Sequence, residues 1–465
     1  MADRTAGLTV AAQHAQAFLS TLDERPVAAR TDASYVREAL GGALPERGED
    51  PTAVIDALVA GADPGLVASA GPRYFGFITG GALPAALAAD WLVSAWDQCA
   101  AVHSLSPAAA AIEEVTAAWI LDLLGLPATS SVGFVTGGQG ANTTCLAAAR
   151  HAVLARAGWD VEKDGLIGAP PLRILCGEHA HATIDTALRL LGLGANTPIR
   201  IAADDQGRMK PEALGDALAQ AEKPTIVCAQ AGNLATGAFD AFEPIADACA
   251  THNAWLHIDG AFGLWAAAAP ATRYLIRGVE RADSWAVDAH KWLNVPHDAG
   301  MAIVADAEAH VAAMRLADGP YYVIDSGQRD NTNYVPESSR RARVVPIYAA
   351  IRSLGREGVA ELIERNCAQA RHMAERLAAI PGAKVVNDVV LNQVLVRLPG
   401  GDDINRAALA AIQRAGTCWL GGMTWQGQCI LRIPIVNWAT TDHDVDRSAD
   451  AIAHVAQAIA SHVTP

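Results

Sequence analysis

At 465 residues the chain is long enough for two or three structural units, and 51% hydrophobic with 18% charged residues excludes a disordered polymer. A formal net charge of -15 argues against nucleic acid as a partner. The eight cysteines, at 99, 145, 176, 228, 249, 367, 418 and 429, form no CxxC pair and signal neither a zinc site nor a redox motif; Cys176 and Cys228 lie in apolar runs and read as buried thiols of a reducing compartment.

The opening MADRTAGLTVAAQHAQ lacks the basic region and long apolar core of a signal peptide. The uncharged stretch near Phe75 is broken by Gly80, Gly81 and Pro84 before it reaches membrane-spanning length. A cytoplasmic protein without membrane or nucleic-acid partners is therefore expected. Residues 1–70 read as a helical arm, with an Ala-rich helix over 9–22, a Gly/Pro/Glu loop over 41–51 and a helix start at Asp50-Pro51-Thr52. Next comes a compact aromatic loop, Pro72-Arg73-Tyr74-Phe75-Gly76-Phe77. Trp91 and Trp96 follow on a helix, and Ser106-Pro107 opens another that carries Glu113 and Glu114. Core packing is one reading of these aromatics.

From 131 to about 305, short apolar runs at 173–176, 225–229, 254–258, 284–287 and 301–304 alternate with helix-length stretches. That alternation predicts a mainly parallel sheet covered on both faces, with ligands at the carboxyl ends of its strands. The segment 319–337 is polar, rich in Gly, Asn and Asp, and long for a loop without a function. After Arg340-Arg341, a helix through 375, strands at 384–398 and 429–436, and helices at 404–414 and 442–461 make a smaller α/β domain. The expected division is an arm over 1–70, a large domain over 71–338 and a small domain over 339–465.

Two strand ends carry the chemistry. Ser284–Asp288 is apolar up to Asp288, and Lys291 follows between apolar neighbours. Alone, Lys291 reads as a lysine snorkelling from a strand end. Upstream, the strand His257-Ile258-Asp259 ends in an acid followed by Gly260 and Ala261. A buried acid and a lysine at two strand ends are what pyridoxal phosphate needs for its ring nitrogen and its aldehyde. The turn Thr136-Gly137-Gly138-Gln139-Gly140-Ala141-Asn142 opens an Ala-rich helix. Glycine backbone N–H groups at a helix N-terminus suit a phosphate, although the same pattern serves as an ordinary tight turn. It is not the GxxxxGK[ST] nucleotide loop, and no metal cluster is signalled.

HIDGAFGLWA followed by ADSWAVDAHKWLNVP resembles the core of the group II pyridoxal-phosphate decarboxylases, relatives of the aromatic-amino-acid and glutamate decarboxylases. The similarity runs from about Pro72 to about Arg447. It implies the fold type I (aspartate-aminotransferase-like) architecture and a homodimer with shared active sites, whose N-terminal arm embraces the partner. It makes Lys291 the Schiff-base lysine and Asp259 the partner of the pyridine nitrogen. His181, in Glu178-His179-Ala180-His181, stacks on the ring opposite Ala261, and His179 is the bystander. Gly138, Gln139 and His290 are the expected phosphate contacts, and Asn233 and Thr236, after the strand 225–229, are the candidates for hydrogen bonds to the ring substituents and the phosphate. Here Gly140-Ala141 stands where the family usually has Glu-Ala. Asp288 stands where animal members often have Asn; an acid beside a phosphate is unfavourable, so it is not counted as a ligand.

The resemblance assigns Tyr74, Phe75 and Phe77 to the substrate pocket. It also places a catalytic tyrosine on the loop ahead of Arg340-Arg341, where Tyr334 ranks first, then Tyr322, with Tyr321 also available. Arg432, amid apolar neighbours, fits a carboxylate-binding and a structural role equally. The expected function is decarboxylation of an L-amino acid, aromatic by preference, to its amine. An aldehyde-forming synthase or an aminotransferase on the same cofactor, and a non-catalytic cofactor-binding protein, are the alternatives.

Overall fold

The computed structural model describes residues 4–220, 223–316 and 328–463. Its strands are β1 (Tyr74–Phe75), β2 (Ser131–Val135), β3 (Arg173–Gly177), β4 (Ile199–Ile201), β5 (Thr225–Gln230), β6 (Trp255–Asp259), β7 (Ser284–Asp288), β8 (Gly300–Val304), β9 (Lys384–Val385), β10 (Gln393–Arg397), β11 (Trp419–Trp425) and β12 (Gln428–Pro434). The chain packs as two compact units, one of Met1–Thr79, Arg371–Val386 and Val394–Pro465, the other of Gly80–Ala370 and Asn387–Gln393.

The larger unit is built on a sheet of order β2-β8-β7-β6-β5-β3-β4. The β4-β3-β5-β6-β7 run is parallel, and β8 is antiparallel to both β7 and β2. Strands β3, β5, β6, β7 and β8 are buried at every position, which is why they read as unbroken apolar runs. The helix Gly138–Arg156 lies across β6, β7 and β8, and its small inner residues Ala141, Cys145 and Ala148 pack into the core with Trp255 and Ala286. Two strands escaped the sequence pattern. β4 has three residues, two of them exposed. β2 carries Gly133, where a Cβ would come 2.0 Å from the backbone oxygen of Tyr334.

In the other unit the sheet order is β1-β11-β12-β10-β9. β11 and β12 form an antiparallel hairpin whose turn residues Gln426 and Gly427 both have positive φ, 48° and 74°. The N-terminal helices are Ala6–Leu19, Ala33–Leu40 and Pro51–Ala62. The last starts where the sequence signals it: the Asp50 carboxylate accepts from the Thr52 and Ala53 N–H groups at 2.9 and 3.4 Å.

The units do not follow the expected boundaries at 70/71 and 338/339. β1 pairs parallel with β11 and the Trp419 N–H donates to the Arg73 carbonyl at 3.1 Å, which holds residues 73–75 in the smaller sheet. The helix Val344–Ala378, broken at Gly355 (φ 64°), belongs to the large unit as far as Ala370. There the Trp292 indole N–H donates to Asn366 Oδ1 at 3.0 Å. The stretch 384–398, expected as one strand, is two, β9 and β10, because residues 387–392 lie outside both strands and belong to the larger unit.

Candidate active site

β6 and β7 are neighbours, with Asp259 opposite Ala286, so both deliver their carboxyl ends to the same edge. At the end of β6 the Gly260 N–H donates to the Ala286 carbonyl (3.0 Å) and the Ala231 N–H to the Asp259 carbonyl (2.9 Å). A Cβ on Gly260 would lie 2.7 Å from Leu264 Cβ, so the chain leaves the strand here through a residue without a side chain. β7 ends at Asp288 and turns through 289–295. The Ala289 and His290 N–H groups both donate to the Ala299 carbonyl, at 3.0 and 3.1 Å. Gly80 closes on this turn: its N–H donates to the His290 carbonyl at 3.3 Å, and a Cβ there would meet the Lys291 oxygen at 2.0 Å. The Lys291 backbone is thus fixed from outside, and its side chain stands over the sheet edge.

A cavity of about 320 Å³ opens between these strand ends and the helix Gly138–Arg156. Lys291, Asp259, Asp288, His181 and His290 all line it. The Lys291 ammonium lies 2.9 Å from Asp288 Oδ2, with the lysine side chain 20% exposed and the aspartate 2%. The helix starts without a side-chain cap, so the N–H groups of its first turn are left for a ligand. Its glycines are needed for space: a Cβ on Gly137 would be 2.7 Å from His290 Cε1, and one on Gly138 would be 3.0 Å from Asp288 Oδ2. His290 accepts from the Ala299 N–H at 3.2 Å through Nδ1, its ring stacks on His297, and burial pushes its pKa down. Asp288 and His297 act on it more weakly and in opposite senses.

From the cavity lining into the core behind it runs a hydrogen-bonded chain. Asn142 Nδ2 lies 3.3 Å from Asp259 Oδ2 and 3.0 Å from Thr183 Oγ1, while its Oδ1 is 2.9 Å from His257 Nε2. His257 Nδ1 is 2.9 Å from Ser284 Oγ, which accepts from the Trp255 indole N–H at 2.9 Å. Thr183 Oγ1 lies 2.8 Å from His181 Nδ1, and the Thr183 N–H donates to the same nitrogen at 3.2 Å. His181 thereby caps the helix Ala182–Leu190 with its own ring. Burial pushes His257 down to about 4.

The expected residues divide into groups. Gly138, Gln139, His181, Asp259, Ala261, His290 and Lys291 all line the one cavity. His179 does not; its side chain is 38% exposed, 3.8 Å from Glu178. Asn233 and Thr236 are also absent from the lining, and Asn233 Oδ1 and the Thr236 hydroxyl have partners within the fold. Asn233 Oδ1 accepts from the Ala235 and Thr236 N–H groups at 2.9 and 3.3 Å, and the Thr236 hydroxyl donates to the Gln206 carbonyl at 2.6 Å. Their neighbours Gly232 and Leu234 face the cavity instead.

Tyr334 is not in the lining either. The Arg329 guanidinium lies 4.0 Å from its ring centroid, and the His310 ring meets its edge. Tyr321 and Tyr322 fall outside the described residues. Tyr74, Phe75 and Phe77 belong to the smaller unit, where Tyr74 and Phe77 both stack on Trp419; Tyr74 and Phe75 are buried and Phe77 is 68% exposed. Arg432 is buried in β12 of the same unit.

Sequence reasoning missed Asn142, Thr183 and Gln230. Only Asn142 carried a signal, as the last residue of the glycine-rich turn. Among the described residues no cluster of three potential metal ligands occurs, and no helix is long and apolar enough to cross a membrane.

A family model described as the pyridoxal-dependent decarboxylase conserved domain matches residues 34–399. The aromatic-L-amino-acid decarboxylase of Bacillus atrophaeus is 26% identical, over 92% of this chain and 90% of its own. The L-2,4-diaminobutyrate decarboxylase of Rhizobium meliloti is 30% identical, over 81% of this chain and 76% of its own. The crystal structure of Oryza sativa TDC with PLP and tryptamine superposes with a TM-score of 0.90 at 23% identity, covering 97% of each chain.

Proposed function

The chain belongs to the pyridoxal-dependent decarboxylase family and is a pyridoxal-phosphate-dependent amino-acid decarboxylase of fold type I; from that premise we propose that its substrate is an aromatic L-amino acid and its product the corresponding amine. One observation carries the reading: an amine (Lys291), a buried carboxylate (Asp259) and an uncapped helix N-terminus face a single cavity of about 320 Å³. This set fits the cofactor by chemistry, because the aldehyde, the ring nitrogen and the phosphate each meet a group suited to it. When bound, pyridoxal phosphate supplies the aldehyde that captures an amine and the ring that takes up the electron pair left on Cα as the carboxylate departs.

The chain's own residues would do the rest. The Lys291 amine would hold the cofactor by its aldehyde, and Asp288 Oδ2, 2.9 Å away, is placed to take and return the lysine's proton. The Asp259 carboxylate would keep the cofactor's ring nitrogen protonated. The His181 ring would cover the cofactor ring, with the small Ala261 leaving room for it. The first-turn N–H groups at Gly138 and Gln139, with His290, would hold the phosphate.

The enzyme is proposed to act as a cytoplasmic homodimer. Exposed large apolar side chains on the helix Pro84–Trp96, at Trp91, Leu92 and Trp96, support burial against a second copy. Eight free cysteines, six of them buried, support a reducing compartment. The phenol that returns a proton to Cα would come from the 319–337 segment of the second copy, Tyr334 first, since Tyr334 does not line its own chain's cavity.

Aromatic specificity rests on the Bacillus relative and on the proposed pocket aromatics Tyr74, Phe75 and Phe77, whereas the Rhizobium relative argues for a diamino acid. An amino-acid panel assayed together for carbon dioxide, amine, aldehyde and peroxide tests the reading. Amine and carbon dioxide from aromatic substrates are expected. Preference for a diamino acid overturns the substrate class, and aldehyde with peroxide overturns the product.

A further inference from the structure

The hydrogen bonds of the chain behind the cavity take their directions from its Asp259 end. The Trp255 indole N–H can only donate, so Ser284 Oγ accepts it. At the other end the Asp259 carboxylate accepts, so the atom of Asn142 facing Oδ2 is the amide nitrogen. The Asn142 oxygen therefore faces His257 Nε2, which must carry the proton. His257 Nδ1 is then an acceptor and takes the Ser284 hydroxyl hydrogen. The second N–H of Asn142 goes to Thr183 Oγ1, which frees the threonine hydrogen for His181 Nδ1. The Thr183 backbone N–H is aimed at that same nitrogen.

We propose that Asn142 is a positioning residue of the decarboxylase: its one amide orients the Asp259 carboxylate and, through Thr183, holds the His181 ring neutral with its proton on Nε2. The proposal rests on the decarboxylase reading and adds to it. Asn142 spans the partners of both the ring nitrogen and the ring face, so these two groups move together. A neutral imidazole beside the substrate has a chemical consequence. It offers a carboxylate one N–H donor and no full charge, so it can aim the leaving group without the strong ion pair that would hold it back. His257, buried in the core and depressed to about 4, is neutral, so its Nε2 proton meets the Asn142 oxygen and its bare Nδ1 meets the Ser284 hydroxyl.

The test uses the full-length protein labelled with ¹⁵N in histidine, with and without added pyridoxal phosphate. The His181 signals are identified by their loss in His181→Gln. Wild type should show His181 protonated at Nε2 and bare at Nδ1. Asn142→Ala and Thr183→Val should lower kcat roughly tenfold to a hundredfold with KM within about twofold, and should mix the His181 tautomers. Thr183→Ser, which keeps the hydroxyl, should restore both readouts. A wild-type proton on Nδ1 overturns the proposal, as does an Asn142→Ala variant with unchanged kcat and unchanged His181 signals. Equal losses in Thr183→Ser and Thr183→Val also overturn it, since packing alone would then explain them. The tautomer is read without cofactor, whereas the decarboxylase reading fails separately if the chain takes up no pyridoxal phosphate.

Discussion

Lys291 Nζ lies 2.9 Å from Asp288 Oδ2, while the other oxygen of that carboxylate is buried with no hydrogen-bond partner among the described residues. A buried, half-satisfied carboxylate is costly unless a charge or a reaction uses it. Charge repulsion argued against Asp288 as a phosphate ligand, and its place beside the lysine gives it other work. Asp288→Asn should slow formation of the cofactor bond to Lys291 by roughly tenfold, without weakening non-covalent uptake, because it removes a proton acceptor and also a negative charge near the phosphate cradle. Stopped-flow absorbance of the cofactor during loading measures the first, and equilibrium binding the second. Unchanged loading would remove Asp288 from the proton path.

Borohydride treatment of the loaded enzyme should fix the cofactor to Lys291 alone, as read by peptide mass. Lys291→Ala should still bind it through the glycine turn and His290 yet lose turnover. Asp259→Asn should fold and load but lose turnover by at least about a hundredfold, since the ring nitrogen no longer keeps its proton. His181→Ala should cost more than His179→Ala, whose side chain lies outside the cavity.

The stability of the fold should fall on mild acidification. Burial depresses His257 to about 4 and His310 to about 3, so each contributes stability that is complete above about 6.5 and lost as pH falls through those values. Burial raises Asp240 to about 6, so its contribution is complete below its ordinary value of 3.8 and lost as pH rises through about 6, which opposes the histidines. Two groups outweigh one, and unfolding near pH 5 should take up protons. Tm measured from pH 6.5 down to 4 should drop, and the drop should be shallower in His310→Gln. A flat wild-type profile would mean that these histidines find water in the folded state.

Tyr334→Phe tests the proton donor. If a second copy supplies this phenol to Cα, the variant should lose amine and gain aldehyde in mixed assays while cofactor affinity stays the same. Sedimentation should show an active dimer. A variant with an unchanged amine rate would leave Tyr334 with the packing role visible in its own chain, between Arg329 and His310.

What the sequence alone determined is what depends on local order. The family, the cofactor class and the five central strands were legible because strands buried on both faces are continuous apolar runs, and their ends show as abrupt polar residues such as Asp259 and Asp288. The cap at Asp50 was legible for the same reason, since its bonds reach only two and three residues onward.

The tertiary structure decided everything that depends on distant partners. Asn142 meets Asp259 across 117 residues, and His257 across 115, so no spacing in the sequence announces the chain that joins them. Asn233 Oδ1 and the Thr236 hydroxyl look available for a ligand in sequence, but in the fold they bond to their own turn and to Gln206. The same logic set the unit boundaries, where a two-residue strand follows its partner β11 and not its neighbours in sequence. A buried polar group must find a partner, and which partner it finds is fixed by packing after the chain has folded.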